Sequence, residues 1–171
     1  HAVGIAEALA HAWEHSRILH RDIKPANIVV DSTGRPMLMD LGIAKTASEK
    51  SHLTATGVAV GTPHYMSPEQ ARGSQDLDFR TDMYSLGASL FHLVTGRVPY
   101  VGTSAVEVIT KHLHDPLPSA RAVKSAVSSD CDDVIRRMLA GDRSDRYGTW
   151  DACIRDLQAV LKGRTPETTK A

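Results

Sequence analysis

Apolar residues recur at helical spacing over residues 3–17, where Ile5, Leu9, Ala12 and Trp13 share one side and Glu7 and Glu14 lie elsewhere on the wheel. This spacing predicts an amphipathic helix packed on one face. Residues 80–96 carry Met83, Leu86, Leu90, Leu93 and Val94, and Ala88 and Phe91 widen the apolar side. The width predicts a helix buried on most sides, stopped by Gly96 and Pro99. Three further helices are predicted over 104–114 (Val106, Ile109, Leu113), 129–140 (Cys131, Val134, Ile135, Met138, Leu139) and 149–162 (Trp150, Cys153, Ile154, Leu157, Val160, Leu161). Loops rich in Pro, Ser, Gly and Asp separate them.

Two stretches break the helical period. Ile28–Val30 and Met37–Met39 are short apolar runs on either side of Asp31-Ser32-Thr33-Gly34-Arg35-Pro36, a turn composition that predicts a small β-hairpin. Residues 43–60 contain five Ser or Thr and no sustained period. Long irregular segments inside a compact domain are functional or disordered. From Gly163 the chain turns polar and is expected to fray or continue as a linker. The predicted fold is mainly α with one small β-hairpin: a single domain over 1–162, then a polar tail at 163–171.

Composition narrows the function class. The 171 residues have Lys+Arg and Asp+Glu both at 20, which offers no electrostatic case for a nucleic-acid partner. No apolar run reaches the ~18 residues of a membrane span, and no signal peptide is visible. Cys131 and Cys153 form no C-x-x-C pair and sit on apolar stripes, so buried thiols in a reducing, cytoplasmic compartment are expected. The chain opens at His1 and is in helical period by Val3, so we expect a cut N-terminus. Trp13 and Trp150 read as core anchors, and Lys111-His112-Leu113-His114 as a solvated helix face.

The chemistry concentrates in His20-Arg21-Asp22-Ile23-Lys24-Pro25-Ala26-Asn27. An acid, a lysine and a carboxamide fall within six residues between apolar segments, where their desolvation needs a reason. Asp22 can accept a proton from a hydroxyl or orient it. Lys24 can act as a point charge beside a phosphate. Asn27 and Asp40 offer oxygens to a hard cation, and the hairpin between them would return the chain to the same place.

This stretch resembles the H-R-D…N catalytic loop of eukaryotic-type (Hanks-type) protein kinases. The resemblance continues in order along the chain. Asp40-Leu41-Gly42 is similar to D-F-G with Leu for Phe, and Ser67-Pro68-Glu69 to A-P-E with Ser for Ala. Gly61-Thr62-Pro63-His64-Tyr65-Met66 resembles the segment that docks the substrate. Asp82 matches the acid that bonds the catalytic-loop backbone, and Arg146 the arginine that pairs with Glu69. Lys24 and Thr62 resemble the serine/threonine branch. Gly61–Gln70 with Thr95–Tyr100 looks most like its bacterial members.

The resemblance implies the C-terminal lobe of a serine/threonine protein kinase that transfers the ATP γ-phosphate to protein hydroxyls. Asp22, Lys24, Asn27 and Thr62 would be catalytic. Lys24, Ala26, Asn27, Val29 and Asp40 would line the ATP site, with Asn27 and Asp40 on Mg²⁺ or Mn²⁺. His20, Leu41, Glu69, Asp82 and Arg146 would be structural. Arg21 would pair with phosphate on Thr54 or Thr56, placed by trans-autophosphorylation in a kinase homodimer. No G-x-G-x-x-G loop or V-A-I-K lysine occurs, so the N-terminal lobe is expected to be missing, this stretch alone inactive, and the lobe-facing surface apolar. The natural protein could be anchored to a membrane through a segment elsewhere. Two alternatives stand beside this reading: a pseudokinase or scaffold lobe, and a small-molecule phosphotransferase of the aminoglycoside type, which has a similar H-x-D-x-x-x-x-N loop.

Overall fold

The computed structural model describes residues 1–40 and 63–170. Its centre is α3 (Phe79–Thr95), which starts at Asp78, whose carboxylate accepts from the Arg80 N–H, and ends at Gly96 in the left-handed region (φ 78°). Met83, Tyr84, Leu86, Ala88 and Phe91 are buried around α3, as are the polar Thr81, Asp82, Ser85 and Ser89. Ser85 and Ser89 satisfy their hydroxyls on the carbonyls of Thr81 and Ser85, one turn back. Leu93, placed on the apolar side by its spacing, is 59% exposed.

Two apolar clusters flank α3. On one side, α1 (Ala2–Ser16), α6 (Ser129–Met138) and α7 (Trp150–Leu161) bring Ile5, Leu9, Val134, Met138, Trp150 and Cys153 against Met83 and Leu86. On the other, Ala120, Val127, Ile135 and Leu139 meet Tyr84, Ala88 and Phe91. The α3–α6 crossing is close because Gly87 has no side chain: a Cβ there would sit 2.8 Å from Met138 Cβ.

Two single-turn helices escape the period: α2 (Pro68–Ala71) and α5 (Ala120–Val123). Asp132 of α6 fixes α5 by accepting from Ser119 Oγ and the Ala120 N–H. Ser or Thr side chains likewise cap α2, α4 (Ala105–His114), α5, α6 and α7, each contribution being about 1 kcal/mol.

In α4 the buried stripe is rotated from the expected one. Val108 and His112 are buried, whereas Val106 is 59% exposed. The predicted solvated face is therefore wrong at His112, which Tyr84 and Tyr100 enclose. Trp13 is half-buried against Phe79, and Cys131 is half-buried while Cys153 is fully buried.

The hairpin pairs β1 (Ile28–Val30) antiparallel with β2 (Pro36–Leu38), in register Ile28↔Leu38. Asp31 organises its turn by accepting from the Thr33 and Arg35 N–H groups, and Gly34 supplies φ 82°. Val29, Val30, Met37 and Met39 leave 42–47% of their surface open, an apolar ledge on the hairpin. The tail does not fray at Gly163. Pro166 is buried, and Asp156 of α7 accepts from the Glu167 and Thr168 N–H groups. Among the described residues no helix is long and apolar enough to cross a membrane, and no three His, Cys, Asp or Glu side chains cluster to hold a metal.

Candidate active site

The loop from His20 to Asn27 hangs on the first turns of α3. Buried Asp82 accepts from the His20 N–H at 2.7 Å and the Arg21 N–H at 2.8 Å. Burial pushes the Asp82 carboxyl up from its ordinary range, opposed by those two N–H donors. His20, 1% exposed, spans the loop with its ring: Nδ1 accepts from the Asp22 N–H, so Nε2 carries the proton and donates to the Met39 carbonyl at 3.1 Å. Between these anchors Arg21 adopts φ 64°, a left-handed conformation that costs a non-glycine residue roughly 1–2 kcal/mol. Its side chain is exposed and makes no ion pair among the described residues.

Asp22 projects from this braced backbone. Lys24 Nζ lies 3.0 Å from Asp22 Oδ2, and Asn27 Nδ2 donates to the Asp22 carbonyl at 2.8 Å and to Oδ2 at 3.3 Å. Pro25 opens the 3-10 turn Pro25–Asn27 that buries Asn27. With its amide nitrogen committed to Asp22, Asn27 accepts nothing on Oδ1 among the described residues. The hairpin then closes the site, because the Met39 N–H donates to the Asn27 carbonyl at 2.8 Å and Asp40 follows at φ 56° with an exposed side chain. The side chains of Asp22, Lys24 and Asn27 thus converge on one end of the lobe, and the hairpin returns the backbone just before Asp40 to Asn27. Ala26 and Val29 are exposed beside them.

Beneath the loop lies the buried pair Glu69–Arg146. Arg146 donates Nη1 to Glu69 Oε1 at 2.8 Å and Nη2 to Oε2 at 2.9 Å, and Thr81 Oγ1 adds a third bond to Oε1 at 2.8 Å. Remaining guanidinium protons go to the carbonyls of Arg80, Ala140 and, at 3.4 Å, Gly141. Burial pushes the Glu69 carboxyl up, but the Arg146 hydrogen bonds and charge outweigh it and hold the pKa below the usual value.

Gln70 was missed from sequence. Its Oε1 accepts from the Ser67 N–H and its Nε2 donates to the Arg21 carbonyl at 3.0 Å, joining α2 to the His20–Asn27 loop. The S-x-x-Q capping box of Ser67–Gln70 was a legible signal for it. Leu41, Thr54, Thr56 and Thr62 lie outside the described residues.

A helical lobe carrying a hairpin, with an acid, lysine, asparagine and second acid at its mouth, is the architecture of the protein-kinase class. The sequence model of the protein kinase domain matches residues 1–157, and the chain belongs to that family. It is 40% identical over 154 residues to the serine/threonine-protein kinase PknB of Mycobacterium leprae, covering 90% of this chain and 24% of that protein. It is 41% identical over 158 residues to the serine/threonine-protein kinase PrkC of Bacillus subtilis, covering 92% and 23%. It is 39% identical over 157 residues to the DNA damage-responsive serine/threonine-protein kinase RqkA of Deinococcus radiodurans, covering 92% and 23%. The chain spans about a quarter of the length of these curated relatives.

Proposed function

We propose that this lobe serves a serine/threonine protein kinase in which Asp22 handles the substrate hydroxyl. The observation that carries this is the arrangement around Asp22, whose Oδ2 meets both Lys24 Nζ and Asn27 Nδ2. Those contacts fix the carboxylate's rotamer, while its other oxygen has no partner among the described residues and can receive a proton. In the transfer, a bond forms between the substrate hydroxyl oxygen and the γ-phosphorus, and the bond from that phosphorus to the β,γ-bridging oxygen breaks. The hydroxyl proton passes to Asp22.

The donor set suits Mg-ATP. Asn27 Oδ1 and the exposed carboxylate of Asp40 are hard oxygen ligands, and Lys24 is a cation held against Asp22. Bound Mg²⁺ would neutralise charge on the phosphates. Ala26 and Val29 form an apolar floor for the base, and Thr62 would link Asp22 to Lys24. Asp82, His20, Glu69 and Arg146 hold the loop and touch no reacting atom. Protein Ser and Thr residues are the acceptors, and a second copy of the kinase is the partner for trans-autophosphorylation.

Arg21 supports regulation by phosphate. Its exposed guanidinium next to Asp22, without an ion pair among the described residues, is a receptor for a phosphothreonine at Thr54 or Thr56, a modification that adds roughly −2 charge. Residues 1–171 hold no glycine-rich phosphate loop and no strand lysine, so this stretch by itself turns over negligibly. The free thiols Cys131 and Cys153 accord with a cytoplasmic setting. The test is autophosphorylation of the full-length protein with Mg-ATP, wild type against Asp22→Asn. Labelling falls at least a hundredfold if Asp22 acts as assigned. Equal labelling rejects the role and favours a scaffold lobe.

A further inference from the structure

The 3-10 turn Pro63–Tyr65 is gripped by two tyrosine–histidine sets that the transfer chemistry does not use. Tyr65 OH bonds His92 Nδ1 at 2.7 Å, with the two rings stacked. His64 Nδ1 donates to the Tyr100 carbonyl at 3.1 Å. The Tyr100 ring lies 4.7 Å from the ring of His112, and His112 Nδ1 bonds Tyr84 OH at 2.7 Å. The Arg146 guanidinium sits over the Tyr84 ring at 4.9 Å. An unbroken line of contacts therefore runs from the 63–65 turn through α4 and α3 to the Glu69–Arg146 pair.

His112 is the hub of that line and its oddest member. It is 5% exposed, yet its Nε2 has no hydrogen-bond partner among the described residues. A buried, half-satisfied imidazole costs more than an apolar side chain of the same shape, so stability alone does not account for it.

We propose that His112 is a positioning residue for the protein substrate, seating the 63–65 turn through Tyr100 and tying that seat through Tyr84 to the Glu69–Arg146 pair. The inference rests on the kinase reading for what the turn does, and on contact geometry alone for the coupling. A turn seated on α4 sets which residue can follow the phosphoacceptor in a peptide. His112 should then govern affinity for protein substrate while leaving the nucleotide site alone.

Two variants of the full-length protein test it: His112→Phe, which keeps a ring against Tyr100 and drops the bond to Tyr84, and Tyr84→Phe, which removes the same bond isosterically. Hydrogen exchange is followed at the amides of His64–Met66, alongside KM for a protein substrate and for ATP. We expect both variants to exchange faster there by about tenfold, with a matching rise in protein KM and with kcat and ATP KM within about twofold. Unchanged exchange at His64–Met66 in both variants overturns the proposal whatever the activity, as does an equal rise in the two KM values. Faster exchange in a protein that phosphorylates nothing upholds the coupling and rejects the kinase reading instead.

Discussion

Replacing Arg146 with methionine removes the guanidinium and keeps much of the volume. The residue is 1% exposed, and Glu69 is 5% exposed. Without Arg146 the Glu69 carboxylate loses both guanidinium bonds and its charge partner while keeping the Thr81 hydroxyl, and the carbonyls of Arg80, Ala140 and Gly141 lose donors. Breaking a buried ion pair from one side costs about 3–5 kcal/mol, set against a total domain stability of about 5–15 kcal/mol. Glu69→Gln should cost less, about 2 kcal/mol, because its carbonyl still accepts from Arg146. The double variant Glu69→Gln/Arg146→Met strands no charge, so it should fall short of the summed single losses by about 2 kcal/mol. Urea unfolding of the full-length protein measures all four.

The pH dependence gives a second arm for the same pair. Glu69's folded pKa lies below its ordinary value of 4.5, so its stabilisation is present above that value and is lost as pH falls through the folded pKa. Arg146→Met should abolish that acid slope. Additive losses, or a cost for Arg146→Met under about 1 kcal/mol, would refute the argument that the pair is one coupled unit.

Three further outcomes are expected. Asp82→Asn leaves one of the His20 and Arg21 N–H groups without an acceptor in a buried site, costing about 1–3 kcal/mol; amide exchange at those two residues no faster than wild type would contradict it. Gly87→Ala should destabilise by about 1–3 kcal/mol despite alanine's better helix propensity, since its Cβ meets Met138 Cβ at 2.8 Å; an unchanged denaturation midpoint would rule out the tight α3–α6 contact. Burial lowers the pKa of His112 to about 4, with the His64 charge adding to the effect and the His64 backbone opposing it, and Tyr84 and Tyr100 are the other titratable groups against it. The unfolded chain then takes up a proton below about pH 6.5 that the folded chain refuses, so stability falls by about 3 kcal/mol from there towards pH 4; His112→Phe should flatten that slope, and identical profiles would defeat the assignment.

The helices α1, α3, α6 and α7 were legible because each repeats its apolar spacing over several turns. The hairpin was legible because Asp31 and Gly34 are turn residues with a mechanism. What escaped was short or shared. A four-residue helix such as α5 shows barely one turn of period, and it depends on a side chain from another helix, Asp132. His112 lies four residues after Val108, on the same stripe, but a polar side chain there reads as solvated until Tyr84 and Tyr100 arrive from distant sequence. The docking of Thr168 on Asp156 is likewise invisible in a tail whose composition is merely polar.

The site's precision rests on groups that sequence motifs mention only in part. Residue 21 has a strained φ, and its two flanking peptide planes are held by three side chains. Asp82 takes the Arg21 N–H and so fixes the plane before it. Gln70 donates to the Arg21 carbonyl while His20 Nδ1 accepts from the Asp22 N–H, fixing the plane after it. With both planes fixed, the φ and ψ of residue 21 have no freedom left, and Asp22 leaves the loop in one direction. Conformations of this kind persist only where the surroundings over-determine them. An apolar core beneath the loop would be more stable, but it could not hold N–H and C=O groups at set angles. The buried polar residues of α2 and α3 therefore cost stability and aim a carboxylate that none of them touches.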